Sequence, residues 1–347
     1  MSGKHAIAIA FFVWSASVGS IGAQVKIARL NDRISVEIDG KPFTSLFIGP
    51  DVSKPYLYPL RAASGTVVTR RFPLEDSPGD SRDHPHHRGL TFGHADLNGF
   101  NYWANELFNP GPKGKIILKK VEKVTSGAKS GTIEPTFNWV DPNGVPLLSD
   151  RRTITFYSDP KMRMIDFDIL LTAIVKARFG DTHEGSFGVR VAAWLEEPAP
   201  AYVPKAAGGE PRPTEPKRTG LITNSEGRST EERVRGQRAN WADYSGETQG
   251  EKLGIAIFDH PSNPRHPTYW HTRGYGMFAA NIFGVRDLGN NKTADGSLTL
   301  QPGENLRFRY RVVIHPGSAQ EANIQNLYRK YASSSAPNEV SSTASNH

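Results

Sequence analysis

The sequence predicts an all-β protein, one large antiparallel β-sandwich with a single C-terminal helix. Three observations carry that expectation. Apolar and polar residues alternate along several segments; Gly, Pro, Asn and Asp separate those segments; and helical spacing appears clearly only near the C-terminus. Many strands, few helices and long connections suit a sandwich. The 347 residues include 33 Gly and 25 Pro, with 37% hydrophobic and 22% charged. That composition excludes collagen, coiled coil and wholesale disorder. The length allows one large β domain or two ordinary ones. The organisation expected is an export signal over 1–23, one sandwich domain over 24–332 and a disordered polar tail over 333–347.

The elements follow in chain order. Met1 to His5 is short and weakly basic, Ala6 to Val18 is apolar, and small residues lead to Ile21-Gly22-Ala23. This has the form of a secretory signal peptide cut near Ala23. The apolar run falls short of the roughly 20 residues a spanning helix needs. No later segment is long and apolar enough to span, so no membrane span is expected after cleavage and the location expected is secreted or periplasmic. Ile34, Val36 and Ile38 alternate with polar residues, Asp39-Gly40 makes a hairpin turn, and Phe43 to Ile48 is the partner strand. Lys115 to Val121 is another strand. Arg152 to Tyr157 and Met162 to Ile174 flank the turn Ser158-Asp159-Pro160. Pro200 to Arg218 reads as a long exposed loop. Phe187 to Trp194, Leu253 to Phe258 and Met277 to Phe283 add three strands. Leu306, Phe308, Tyr310 and Val312 alternate with Arg307, Arg309 and Arg311, which predicts a buried face and a basic face in water. Ser318-x-x-Glu321 is a capping box, and Ile324, Leu327, Tyr328 and Tyr331 then recur at helical spacing.

Charge and composition narrow the function. Lys plus Arg total 42 and Asp plus Glu 35, a formal net charge of +7. The basic residues are scattered and form no stripe, so no nucleic-acid partner is expected. With no Cys, disulfides, thiolate nucleophiles, iron–sulfur clusters and Cys-ligated zinc are impossible. There is no internal repeat, no Gly-rich phosphate loop after a strand and no Gly-x-Ser-x-Gly elbow.

Chemistry concentrates in Asp83 to Trp103. Four of the eleven histidines, His84, His86, His87 and His94, fall within eleven residues. Imidazole changes charge near neutral pH and binds metals, so all four are candidate acids and bases, although at least one is expected to hold backbone carbonyls. In an extended strand His84 and His86 would share a face with His87 opposite, and Pro85 favours extended geometry at His84. Arg70, Arg88, Asp96 and Asn98 are the substrate-binding candidates of this region. Asp259 to Gly274 holds three more histidines, two arginines and Tyr269-Trp270. Aromatic rings beside hydrogen-bonding side chains suit a sugar ring, which makes His266, His271 and Arg273 candidate contacts. Asp181 to Gly188 offers Glu184, either a general base or a solvated loop acid. In Asn240-Trp241-Ala242-Asp243-Tyr244, Asn240 is a candidate contact and Trp241 reads as core.

Several of these runs carry a family resemblance. Lys54-Pro55-Tyr56-Leu57-Tyr58-Pro59-Leu60, Thr69-Arg70, Asp83 to Gly89 with Asn98-Gly99 and Trp103, Gly180 to Gly185, Asn240 to Tyr244 and Trp270 to Gly276 resemble the bacterial PmoA-like family over about Lys54 to Phe283. The methane monooxygenase subunit that shares the name is an integral membrane protein, so the name is nominal here and implies no copper oxygenase. The resemblance implies a secreted β-sandwich similar to the galactose-mutarotase supersandwich, a fold that hosts sugar epimerases, lyases and hydrolases.

The leading functional expectation is a secreted carbohydrate-active enzyme using histidine acid–base catalysis, with Arg70, Arg88 or Arg273 holding a carboxylate or oxyanion and Glu184 or Asp96 as carboxylate partner. The first alternative is a metalloenzyme in which His86 and His94, with Asp96 or Glu184, ligate zinc or iron. The second is a non-catalytic sugar-binding module. No organic cofactor is expected; a divalent metal belongs to the metalloenzyme alternative. The partner is a carbohydrate or other small molecule. The two histidine clusters and Glu184 are expected to converge on one pocket. N-terminal sequencing of protein from the native host should find a start near Gln24 or Val25; an intact Met1 or Ser2 in the soluble fraction would contradict the export reading.

Overall fold

A computed structural model describes residues 24–105, 111–200, 202–203, 205 and 213–334. The expected export signal, part of the 200–218 loop and residues 335–347 of the expected tail lie outside the described residues. The strands are β1 (Val25–Arg29), β2 (Arg33–Ile38), β3 (Lys41–Phe47), β4 (Tyr56–Tyr58), β5 (Leu90–His94), β6 (Lys115–Thr125), β7 (Ser130–Val140), β8 (Pro146–Tyr157) and β9 (Arg163–Ala173). They continue with β10 (Ala177–Phe179), β11 (Gly185–Arg190), β12 (Leu221–Asn224), β13 (Trp241–Thr248), β14 (Glu251–Asp259), β15 (Tyr269–Arg273), β16 (Met277–Asn281), β17 (Leu298–Leu300) and β18 (Asn305–Pro316). One eight-stranded sheet runs β1-β2-β3-β4-β5-β11-β16-β15, a second runs β12-β13-β14-β18-β9-β8-β7-β6, and β10 pairs with β17. The paired strands are antiparallel throughout.

The alternation in the sequence fixes which face each strand buries. At the β2–β3 hairpin, Asp39 and Gly40 both take positive φ, 55° and 72°, as a two-residue turn between twisted strands requires. β9 and β18 pair Ile169 with Phe308 and Phe167 with Tyr310. The two large sheets meet face to face across aromatic contacts. Phe187 stacks on Tyr310 with centroids 4.5 Å apart, and Phe92 lies 5.4 Å from Phe308 and 5.9 Å from Trp139. One apolar cluster runs from Val25 to Ile314 through both sheets, so the expected β-sandwich is the fold observed.

Several expectations need correction. The Ser318–Glu321 capping box forms its reciprocal bonds, Glu321 N to Ser318 Oγ and Ser318 N to Glu321 Oε2, at 3.2 and 2.8 Å. It closes a separate turn, because Asn323 takes a left-handed conformation and the helix proper spans Ile324–Ala332. Ser333 and Ser334 finish that helix rather than beginning a tail, with Ser334 Oγ donating to the Tyr331 carbonyl at 2.6 Å. The strand expected over Phe187–Trp194 ends at Arg190, and Trp194 lies in a 3₁₀ turn over Ala193–Leu195. Two single-turn helices, α1 (Glu231–Val234) and α2 (Val285–Leu288), precede the C-terminal α3 (Ile324–Ala332). Arg218 at the end of the expected exposed loop is buried on Glu196.

The β18 arginines do not face open water. Arg307 pairs with Asp168 and Arg311 with Asp166, both on neighbouring β9, and α3 lays Tyr331 over Arg311. Arg309 donates to His260 Nε2 at 2.8 Å. Among the described residues no helix is long and apolar enough to cross a membrane.

Charge also enters the core itself. Asp150 and Arg152 share the inward face of β8 with Leu148, Ile154 and Phe156. Asp150 accepts from Trp139 Nε1 at 2.8 Å and from Arg152 Nη2 at 2.6 Å, and the guanidinium lies over Phe137. Asp150→Ala strands a buried charge and an indole N–H, an expected cost of about 3–5 kcal/mol, read as a large drop in the denaturant midpoint.

Candidate active site

The site begins as a floor of small residues. β5, β11, β16 and β15 are adjacent, and their inward residues include Leu90, Phe92, Phe187, Val189, Trp270, Phe278 and Ala280. Strand alternation therefore turns Gly93, Ser186, Gly188, Arg190, Met277, Ala279, His271 and Arg273 to the opposite face. A Cβ on Gly93 would come within 2.7 Å of the Tyr102 carbonyl oxygen, and one on Gly188 within 2.8 Å of the Ala279 methyl. Bare backbone at Gly93 lets the 101–105 segment lie directly on the sheet, and at Gly188 it leaves room for the side chains of neighbouring β16.

A buried ionic knot holds the loop there. Arg190 donates to Asp83 Oδ2 at 2.8 Å and to Oδ1 at 2.9 Å. Arg70 donates to the Asp83 carbonyl at 2.7 Å, the His84 carbonyl at 2.8 Å and Asp83 Oδ1 at 3.3 Å. His84 Nδ1 lies 2.6 Å from Asp83 Oδ2. Burial alone would raise the Asp83 carboxyl, but the Arg190 charge and the His84 hydrogen bond override it and hold it far below the usual carboxylate range. Arg70, expected to bind substrate, is instead fully buried and committed to loop carbonyls.

The loop is a turn, not a strand. His87 N donates to the His84 carbonyl at 3.0 Å, and His84 takes φ 42° rather than the extended geometry expected before Pro85. The rings that a strand would have sent to opposite faces therefore meet. His84 stacks parallel on His87 with centroids 4.9 Å apart, and His86 packs edge-on to His87 at 4.3 Å.

His86, His87 and Glu184 each offer a donor atom, and these three atoms lie within 4.8 Å of one another. Both imidazoles are buried; neither ring nitrogen of His86 has a hydrogen-bond partner, nor has His87 Nε2. Lys54 Nζ fixes the loop from behind by donating to the His86 carbonyl at 3.2 Å. Glu184 is positioned by Asn281, which donates to the Thr182 carbonyl at 2.9 Å, and by His183, whose Nε2 lies 3.2 Å from Glu184 Oε1. His183 Nδ1 pairs in turn with Asp287 on α2, and His271 Nδ1 meets the His183 carbonyl at 3.0 Å.

Burial, with the Lys54 charge adding, pushes His86 down to about 3, and burial pushes His271 to about 3 against the opposing Glu184 charge. Burial also drives His87 well below its usual value. Burial would raise Glu184, but its His183 hydrogen bond and the surrounding imidazoles bring it to about 2. His183 moves up, chiefly through that hydrogen bond. At neutral pH the centre is thus neutral imidazoles facing an ionised carboxylate.

Aromatic rings pack around the cluster. Tyr275 stacks on His84 at 5.7 Å, Trp103 lies 5.9 Å from His87, and exposed Tyr202 meets Tyr275 edge-on. The Arg273 guanidinium sits 4.9 Å from the Tyr202 ring and 5.2 Å from Tyr275, with Nε 2.7 Å from Glu231 Oε1.

Residues 33–329 match one protein family along most of the chain. The protein belongs to the Family of unknown function (DUF6807). The comparisons support no PmoA-like label for this DUF6807 chain, and no functionally curated protein matches it. Among solved structures it is similar to a galactose mutarotase-like protein from Clostridium acetobutylicum, at 11% identity and a TM-score of 0.42, covering 85% of this chain and 99% of that one. It is similar also to a galactose mutarotase related enzyme from Lactobacillus acidophilus (10%, TM-score 0.34, 85% and 97% covered). A third is the GH36 α-galactosidase AgaA from Geobacillus stearothermophilus (13%, TM-score 0.37, 85% and 40% covered), so the chain spans about two fifths of that protein's length.

The remaining expected residues of the DUF6807 chain sort by what they touch. His271 and Arg273 share the outward face of β15 with the cluster, and Arg88 follows His87 half-buried. His94 does not join them. It shares the inward face with Leu90 and Phe92, packs 4.5 Å from Phe283, and has Nε2 3.1 Å from the Gly180 carbonyl. Asp96 accepts from Gly99 N, and Asn98 bonds the backbone of Lys176 and Arg178, so both shape a turn. His266 pairs with Asp259, which also accepts from Thr268 N and Asn263, closing the 259–268 turn. Asn240 lines a separate cavity with Trp241, whose core burial was expected.

His183, Arg190 and Tyr275 were not singled out from the sequence, and Lys54 and Trp103 were named only for the family resemblance. His183 and Tyr275 fall inside runs that were; Arg190 gains its role only from the outward parity of β11.

Asp83 fixes a pH dependence. Its pKa is lower folded than unfolded, so its stabilisation is complete above about pH 4 and is lost as pH falls through the lower folded value. In melts from pH 7 to pH 3, Asp83→Asn should start well below the wild type and decline less steeply on acidification. Parallel curves would show that Asp83 is not the anchor.

Proposed function

We propose that this protein is an exported, divalent-metal-dependent enzyme acting on a carbohydrate or similar polyhydroxylated small molecule, as a hydrolase, lyase or epimerase. His86, His87 and Glu184 hold the ion. The observation that carries the reading is their convergence: three donor atoms within 4.8 Å, with buried imidazole nitrogens that have no other partner. Buried polar atoms are rarely left unpaired, and a cation would satisfy several at once. Two imidazoles and a carboxylate are a usual donor set with coordination positions left for water or substrate. His183, bonded to Glu184 and to Asp287, orients the carboxylate from behind. Compared with the ligands expected from sequence, His87 takes the place of His94, and Glu184 serves rather than Asp96.

The ion's chemistry is to polarise a substrate oxygen or acidify a bound water. The rest of the chain supplies recognition: the exposed Tyr202 offers a ring face to the C–H surface of a sugar, and Arg273 beside it offers donors to its oxygens. Acid–base catalysis without a metal is the competing reading, favoured by His183, whose pKa moves up at the partly exposed mouth.

Metal removal separates the two. Protein purified without metal-affinity steps should carry about one divalent ion per chain by elemental mass spectrometry. His86→Ala and Glu184→Gln should each reduce metal affinity by at least about tenfold while preserving the circular dichroism spectrum. Turnover on a glycan panel should vanish on chelation and return with added Zn²⁺, Mn²⁺ or Fe²⁺. Full turnover after exhaustive chelation would leave the acid–base reading standing and end this one.

A further inference from the structure

The Asn240-Trp241 segment does not reach the histidine cluster, yet it lines a cavity of its own. The cavity holds about 770 Å³ between edge strand β12, the start of β13, the Ser318 turn and α3, within the usual range of about 300–1,000 Å³ for ligand pockets. Its lining includes five amide side chains, five hydroxyls and two arginines, and no carboxylate.

Asn224 is the built part of this wall. It is 2% exposed, and its Oδ1 accepts from Glu226 N and Arg228 N, both at 3.1 Å. Those two donors fix which end of the amide is oxygen. Nδ2 is left as a buried donor without a partner, as is the neighbouring Thr223 Oγ1. Trp241 supplies an apolar wall with Ile324, its indole held by Nε1 donating to Gln325 Oε1 at 2.8 Å. Arg329 on α3 reaches the same space, and among the described residues no carboxylate pairs with it.

We infer that this cavity is a second saccharide-binding site, separate from the histidine centre, and that it takes an acidic sugar such as a uronate. The apolar wall of Trp241 and Ile324 suits the C–H surface of a pyranose, amides and hydroxyls suit its hydroxyl groups, and Arg329 with Arg228 suits a carboxylate. Arg228 already donates to Gln237 Oε1, so a neutral sugar would leave Arg329 without an anion, and a bare inorganic anion would leave the apolar wall and the amides unused.

The test follows the Trp241 indole N–H resonance in ¹⁵N-labelled full-length protein, assigned with Trp241→Phe. Digalacturonate should shift it saturably, and the neutral disaccharide lactose should bind at least about tenfold more weakly, the worth of one charge-assisted contact. Arg329→Gln should weaken digalacturonate binding more than lactose binding and so narrow that difference. Because the readout is binding at Trp241, it stands whether or not the histidine cluster holds a metal. An unmoved resonance, equal affinity for the two sugars, or a shift that sodium sulfate reproduces at equal ionic strength would overturn the proposal.

Discussion

The bidentate pair between Arg190 and Asp83 joins the middle of a sheet to a loop with no regular structure of its own. Arg190 projects from β11 because Phe187 and Val189 on the same strand must face the core. Asp83 brings with it the backbone that Arg70 then grips at three carbonyls, those of Asp83, His84 and His87. A buried ion pair gains little net stability over a well-packed apolar one, and its best-supported benefit is a unique arrangement. Here that arrangement is the stacking of His84 on His87 and the placing of His86 against Glu184. An apolar substitute of equal volume would keep the sandwich and free the loop to settle elsewhere.

The sandwich was legible where one face of a strand is buried and the other is wet. β2 and β9 show period-two alternation because each has that asymmetry, β18 alternates in sequence although ion pairs and α3 cover its arginine face, and the Asp39-Gly40 turn is written in residues that tolerate positive φ. β5, β11 and β16 are buried on both faces. Loops cover their outward side, so the alternation disappears from the sequence where the site is built. β4, β10 and β17 have three residues each, too few for any period to register.

The same covering explains what was misread in the site. Histidine density marked the segment whose rings gather beside Glu184, but the place of each ring depended on whether the chain there turned or ran straight. Reading His84 to His87 as a strand separated His86 from His87, which the turn brings together. Placing His94 in the cluster overlooked that it shares parity with Leu90 and Phe92. Arg70 carries the same charge as Arg273, and nothing local distinguishes an arginine sealed under a loop from one stacked between tyrosines at the mouth.

The molecule treats its buried polar groups in two contrasting ways. In the core, Asp150 receives an indole N–H and an arginine; in the knot, Asp83 receives two arginines and an imidazole. Both carboxylates are saturated with donors, which is what burial in low dielectric demands. A few ångströms beyond the knot, His86 and His87 are equally buried, yet three of their four ring nitrogens have no partner. The fold could have filled that space with apolar side chains at no electrostatic cost. It instead uses an ionic knot, a lysine and a floor of small residues to hold two unsatisfied imidazoles against an ionised Glu184, and the proposed metal site rests on that contrast.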